Sequence, residues 1–230
     1  TITAAITAKN SAGIDSYAVK VLLGDWCYFD DPVNGVRRLV SPSAYVAGRL
    51  ANLSPEQSSL NKPIYGIVAT QKTAVGGTYS AAELGQLGTA GIDVITNPSP
   101  GGYYFGCRFG NNASSNPVLD GDNYTRLINY ITQTLNAGMG RFLGRLHLPA
   151  VRREAKATID TFLSNMVQQG QLEAYSTVAN DANNPPSRVA LGHLQIDVKA
   201  RFISIIQFLL INVEGGQSVT IDRVSVERAA

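Results

Sequence analysis

The stretch LDGDNYTRL, Leu119 to Leu127, places Asp120, Asp122, Tyr124 and Arg126 close together, and such groups could bind a metal or move a proton. An EF-hand calcium loop requires oxygen ligands at positions 1, 3 and 5, Gly at 6 and Glu at 12. Counted from Asp120, the last three of these positions hold Tyr124, Thr125 and Ile131, so the calcium reading fails. Asp30-Asp31 could form a carboxylate pair for acid/base work, but Pro32 and Asn34-Gly35 place them among solvated turns. His147 and His193 have no Cys, His, Asp or Glu at a metal-ligand spacing, and no GxSxG occurs.

Three further motifs read more simply as structure. Gly85, Gly88 and Gly91 of GQLGTAG lie within and at the end of a helical pattern, whereas a dinucleotide loop follows a strand and opens a helix. Gly215-Gly216-Gln217 falls between two strand patterns and reads as a hairpin turn. Tyr103-Tyr104-Phe105 could stack on bases, but no basic stripe lies beside them to hold phosphates. No catalytic residue, metal ligand set or cofactor site is expected, and the chain does not read as an enzyme. A small α/β hydrolase or oxidoreductase remains the contrasting reading, and it would need a pocket lined by Asp30, Asp31 or His193.

Composition bounds the class. A chain of 230 residues can bury about 70 to 75% of its unfolded surface without help from disulfides or metals. Charged residues make up only 16%, against a typical ~25%, which points to surface covered by something other than water. A net charge of +2 is too small to imply nucleic acid or an anionic membrane as partner. No apolar run is long enough to span a bilayer, and the N-terminus lacks the pattern of a signal peptide. The start at Thr1, without Met, reads as a fragment or processed product. Cys27 and Cys107 sit in apolar, strand-like surroundings that fit buried free thiols, with a single disulfide as the alternative.

The elements that must position these residues follow from periodicity and punctuation. A strand is expected over Tyr17 to Leu23, followed by the loop GDWCYFDDPVNG. Ser41-Pro42 opens a helix whose Ala44, Ala47, Gly48 and Ala51 form a small-residue face. A strand over Tyr65 to Thr70, a helix begun by the Ser80/Glu83 capping box and closed at Gly91, and the strand IDVIT predict a βαβ unit with a parallel pair. The loop GNNASSNPVLDG is the sharpest change of composition and places a domain boundary near Val118, giving domains 1–118 and 119–230. Beyond it, Tyr124, Leu127, Ile128, Ile131 and Leu135 make an amphipathic helix, and a second helix runs from Pro149 to Gly170. LEAYSTV, the alternating run from Leu194 to Phe202, and SVTIDRVSV complete an antiparallel or mixed sheet. The fold class is mixed α+β.

SPSAYVAG, LNKPI, AGIDVI, the Gly-Cys-Arg after an aromatic strand, and DNYTR occur in an order that resembles the tail sheath proteins of contractile bacteriophages, over nearly the whole chain. The resemblance implies a structural subunit stacked in helical rings around an inner tail tube, with contraction driving the tube through a bacterial envelope for genome delivery. It implies copies of the chain itself, the inner tube protein, and the baseplate and tail terminator proteins as partners. Assembly would occur in the host cytoplasm and the product would be the virion tail. The sheath of an R-type bacteriocin or a secretion system is the alternative within that class.

Terminal arms that add strands to neighbours would place Val219, Ile221, Val224 and Val226 in a C-terminal arm. Family members carry a further N-terminal portion with the other arm, so the 230 residues alone are expected to stay monomeric or weakly associated. Arg152, Arg153 and Lys156 form a basic helix face, read first as solvated and also as a candidate contact for an acidic inner tube. Asp122 is expected to cap the first helix, at about 1 kcal/mol. Tyr124 would begin the buried stripe, and Arg126 would face a carboxylate across a boundary.

Overall fold

Helix starts that are written locally in the sequence are used as written in the computed structural model, which describes residues 1–207. Ser41 accepts from the Ser43 amide and caps α2 (Pro42–Ala51), with Pro42 in the first turn where its missing N–H costs nothing. The Ser80/Glu83 capping box starts α4 (Ala81–Thr89). Gly91, at φ +64°, ends that helix in a conformation a side chain rarely adopts. Helix α1 (Ile2–Ser11) is not signalled by the patterns above; Thr1 caps it, and Ile2 and Ile6 pack onto the core of the first half.

The first half departs from expectation in two places. GDWCYFDDPVNG is not a loop but most of a hairpin, in which β1 (Cys27–Asp31) pairs antiparallel with β2 (Val36–Val40), and β3 (Ala69–Thr70) adds to the other edge of β1. Its strands escape a hydrophobic reading because ion pairs supply much of the cross-strand contact: Arg37 to Asp30 at 2.6 Å and Arg38 to Asp31 at 2.9 Å. The expected parallel pair flanking α4 does not form. β3 pairs with β1, while β4 (Ile95–Thr96) pairs antiparallel with β5 (Gly106–Cys107). Parallel contact is limited to isolated bridges, Leu22 with Asp93 and Leu60 with Cys107. The Tyr17–Leu23 strand is thus reduced to an extended piece around Leu22. A short helix, α3 (Gln71–Ala74), follows β3 directly.

In the second half α5 (Asp122–Met139), a 3₁₀ turn (Gly140–Phe142) and α6 (Pro149–Gln168) lead into β6 (Leu172–Val178), the short α7 (Pro186–Ala190) and β7 (Asp197–Phe202). Leu127 and Ile131 of α5, Ile159, Leu163 and Met166 of α6, and Leu172 of β6 form one buried cluster. These are the positions that 3.6-residue spacing puts on one face. β6 and β7 pair antiparallel from Leu172/Phe202 to Val178/Asp197, and β7 alternates half-buried and exposed residues as the sequence predicts.

Among the described residues, β6 and β7 pair only with each other. The expected strand SVTIDRVSV, the Gly215-Gly216 turn, and Val219, Ile221, Val224 and Val226 lie outside the described residues. Two smaller clusters fill the first half. One is built on Leu87, Ile92 and Val94, and the other on Cys27, Val46, Ile64, Ile95 and Cys107. Both cysteines are free and fully buried in that second cluster. Ala44, Ala47, Gly48 and Ala51 of α2 point outward, while Pro42 and Val46 face the core.

Candidate functional site

The polar groups of LDGDNYTRL converge on a junction between the two halves, and the structure corrects the roles expected for two of them. Gly121 is the N-cap of α5 and Asp122 is its first residue, with no side-chain capping bond. The Asp122 carboxylate instead turns into the protein. It accepts from the Ser58 hydroxyl at 2.7 Å, the Ser59 hydroxyl and amide, and the Lys20 ammonium at 3.2 Å. It is 4% exposed, so these partners replace the water it has lost. Helix-dipole stabilisation of an acid in the first turn still applies.

Lys20 joins this carboxylate to a second one. Its ammonium donates to Asp93 at 2.7 Å and to the Asn111 carbonyl at 2.8 Å. Asp93, fully buried, also accepts from four backbone amides, those of Val94, Arg108, Phe109 and Gly110, at 2.8 to 3.1 Å. Burial works against the charge on Lys20, but Asp93 and Asp122 outweigh it and hold the ammonium above its usual range. Gly110 lets the backbone pass beside Ser58: its φ is +64°, and a Cβ there would collide with the Ser58 hydroxyl and Leu60.

Arg126, one turn along α5, does not face a carboxylate. Its guanidinium donates to the carbonyls of Leu50, Leu53, Ser54 and Gln57 at 2.5 to 3.1 Å. Those oxygens belong to the end of α2 and the loop after it, where helix carbonyls lack partners and the dipole favours a cation. Tyr124 is half-buried and stacks on Phe202, with ring centroids 5.7 Å apart. Among the described residues, the charged groups of Lys20, Asp93, Asp122 and Arg126 at this junction are each engaged by structural partners, while burial raises the Asp120 carboxyl above its usual range.

The other candidates are scattered. Asp30 and Asp31 are engaged by Arg37 and Arg38 in the hairpin, and Asp31 also accepts from the Val33 and Asn34 amides in the turn. His193 is exposed after α7. Burial first, and then Asp25, pushes the Cys27 thiol up to about 12, and burial also raises the Cys107 thiol, so both remain protonated at neutral pH. On α6, Arg152 pairs with Asp181 at 2.8 Å and Lys156 with Asp160 at 2.6 Å, whereas Arg153 has no ion-pair partner among the described residues.

Sequence reasoning missed Lys20, Asp93, Ser58 and Ser59. The signal was present for the first two: a lone Lys in AVKVLL and a lone Asp in GIDVIT each interrupt an apolar run, and a charge so placed needs a partner.

The mixed α+β fold is similar to that of chains in solved sheath and baseplate assemblies. One similar solved structure is the sheath complex of an extracellular contractile injection system, PVC, in the contracted state. It has a TM-score of 0.77 and 17% identity, over 94% of this chain and 61% of that one. A chain of the anti-feeding prophage baseplate matches with a TM-score of 0.76 and 16% identity, over 90% of this chain and 57% of that one. The crystal structure of a sheath tail protein from Desulfitobacterium hafniense matches at 0.58 and 12% identity, over 73% and 40%. This chain thus spans about 60% of the length of the first two. No protein-family model and no curated protein matches the sequence.

Proposed function

We propose that the chain is a structural subunit of a contractile sheath, polymerising as helical rings around an inner tail tube and contracting to drive that tube through a bacterial envelope. The observation that carries the reading is fold agreement with a contractile sheath over 94% of the chain. Among the described residues β6 and β7 pair only with each other, and an extended arm from another copy adding a strand beside them through main-chain hydrogen bonds would be a means of self-association.

On this reading the partners are other copies, the inner tube, the baseplate and the tail terminator. The chain performs no catalysis and takes no cofactor. Residues 1–118 and 119–230 act as two domains joined at the Asp122 junction, and Arg153 is the residue of the α6 basic face most available to an acidic tube.

A bacteriophage tail is the first assignment, following the order of sequence motifs, with assembly in the host cytoplasm and residence in the virion. An extracellular injection system is the second. It is favoured by the TM-score of 0.77 to such a system, against 0.58 to the tail sheath protein. Capsid and terminase genes beside the coding sequence would select the phage. Negative-stain electron microscopy of the full-length protein tests the class: hollow striated tubes support a sheath, and uniformly compact particles count against it.

A further inference from the structure

Between the end of α5, the loop 143–148, α6 and the segment leading into β7 lies a cleft of about 630 Å³. Its floor is apolar: Met139, Ile159, Ile196 and Val198 belong to, or pack against, the main cluster of the second half. Its lip carries Leu143, 83% exposed, and Leu146, 77% exposed, with Leu148 also solvent-facing. A contiguous apolar surface of this kind on a folded chain marks a place where something docks.

Charge says what the occupant is. From Arg141 to Lys156 the sequence holds Arg141, Arg145, Arg152, Arg153 and Lys156, and its sole carboxylate is Glu154. Arg145 and Arg152 line the cleft, and each is held by a solvated carboxylate of the same chain, Arg145 by Glu154 at 2.9 Å and Arg152 by Asp181 at 2.8 Å. Arg152 is largely buried, at 11% exposed, yet its carboxylate partner Asp181 is 92% exposed. A ligand carboxylate can displace so solvated a partner with little loss. The Nε2 of His147, another lining residue, is buried and finds no partner among the described residues.

We propose that this cleft docks an acidic amphipathic helix of a partner protein, with its apolar stripe on the Leu143/Leu146 lip and its carboxylates on Arg145 and Arg152. Helix-in-groove recognition places apolar anchors at i, i+3, i+4 and i+7, and the rim cations then select the sign of the opposite face. The inference stands apart from the sheath assignment.

The test uses the full 230-residue chain and a fluorescein-labelled peptide with Leu at i, i+3, i+4 and i+7 and Glu on the opposite helical face, read by anisotropy. The controls are the same peptide with Lys for Glu and with Ser for Leu. Saturable binding of the acidic peptide is expected, at least tenfold tighter than either control. It should weaken at least tenfold in Leu143→Ser/Leu146→Ser and in Arg152→Gln, with circular dichroism melts unchanged for the exposed leucine pair. Absence of binding, equal binding of the controls, or indifference to the leucine pair would overturn the proposal. It is likewise overturned if the leucines instead govern self-association in sedimentation, or pelleting with phosphatidylglycerol vesicles, while the acidic peptide stays unbound.

Discussion

Asp122 shows how far a residue's role depends on what lies across the chain from it. A helix cap removed to Ala costs about 1 kcal/mol. Here the change would strip Lys20 of one carboxylate, remove the acceptor of the Ser59 hydroxyl and amide, and leave the Ser58 hydroxyl only the Gly110 carbonyl at 3.3 Å. Breaking a buried charge pair by deleting one partner costs about 3 to 5 kcal/mol. Asp122→Ala should therefore destabilise by several kcal/mol in urea unfolding, and a loss near 1 kcal/mol would restore the capping role. Nothing in LDGDNYTRL reveals this, because Ser58 and Lys20 lie far away along the chain and only the fold brings them together. The acidic, helix-initiating character of Asp122 was legible; its partners were not.

At the scale of elements, legibility follows how local the determinant is. Helix α4 begins and ends on its own residues, the Ser80/Glu83 box and Gly91, and α6 carries its periodicity from Val151 to Met166; both match the sequence reading. The β1–β2 hairpin was hidden because Arg37, Arg38, Asp30 and Asp31 occupy positions where a half-buried strand would alternate apolar side chains. The parallel pair failed for a related reason: strand, helix, strand order fixes the elements but leaves β3 and β4 free to choose other neighbours. Arg126 links two elements, holding the carbonyl end of α2 to α5. Lys at this position keeps the charge but loses the planar fork that reaches four oxygens. Arg126→Lys should cost about 1 to 3 kcal/mol, and Arg126→Ala more; equal thermal unfolding of Lys variant and wild type would show that charge alone suffices.

For the whole molecule, burial of titratable groups sets a direction of pH dependence. Cys27 is pushed up to about 12, and Cys107, Tyr79 and Lys20 are all raised: the first two mainly by burial, Tyr79 by burial and its bond to Asp25, and Lys20 by Asp93 and Asp122 against burial. Unfolded thiols titrate near 8.5, Tyr near 10 and Lys near 10.4. Above roughly pH 8.5 the unfolded chain releases protons that the fold retains, so unfolding gains free energy and stability falls as pH rises toward about 12. The urea midpoint should be lower at pH 9.5 than at pH 7.5, with the first part of the drop removed in Cys27→Ala/Cys107→Ala. An unchanged or rising midpoint would mean that the thiols are solvated.

Two anchors one turn apart, Asp122 and Arg126, fix the direction of α5 as well as its position. The helix has 18 residues and so reaches about 27 Å from the junction. That makes it a lever. A tilt of about 5° at the anchored turn would carry its far end, where Met139 borders the cleft, through roughly 2 Å. Angular tolerance set by a few hydrogen bonds at one end is thus magnified at the other, and the accuracy with which the distal surface is presented is decided at Ser58, Lys20 and the carbonyls of the 50–57 loop.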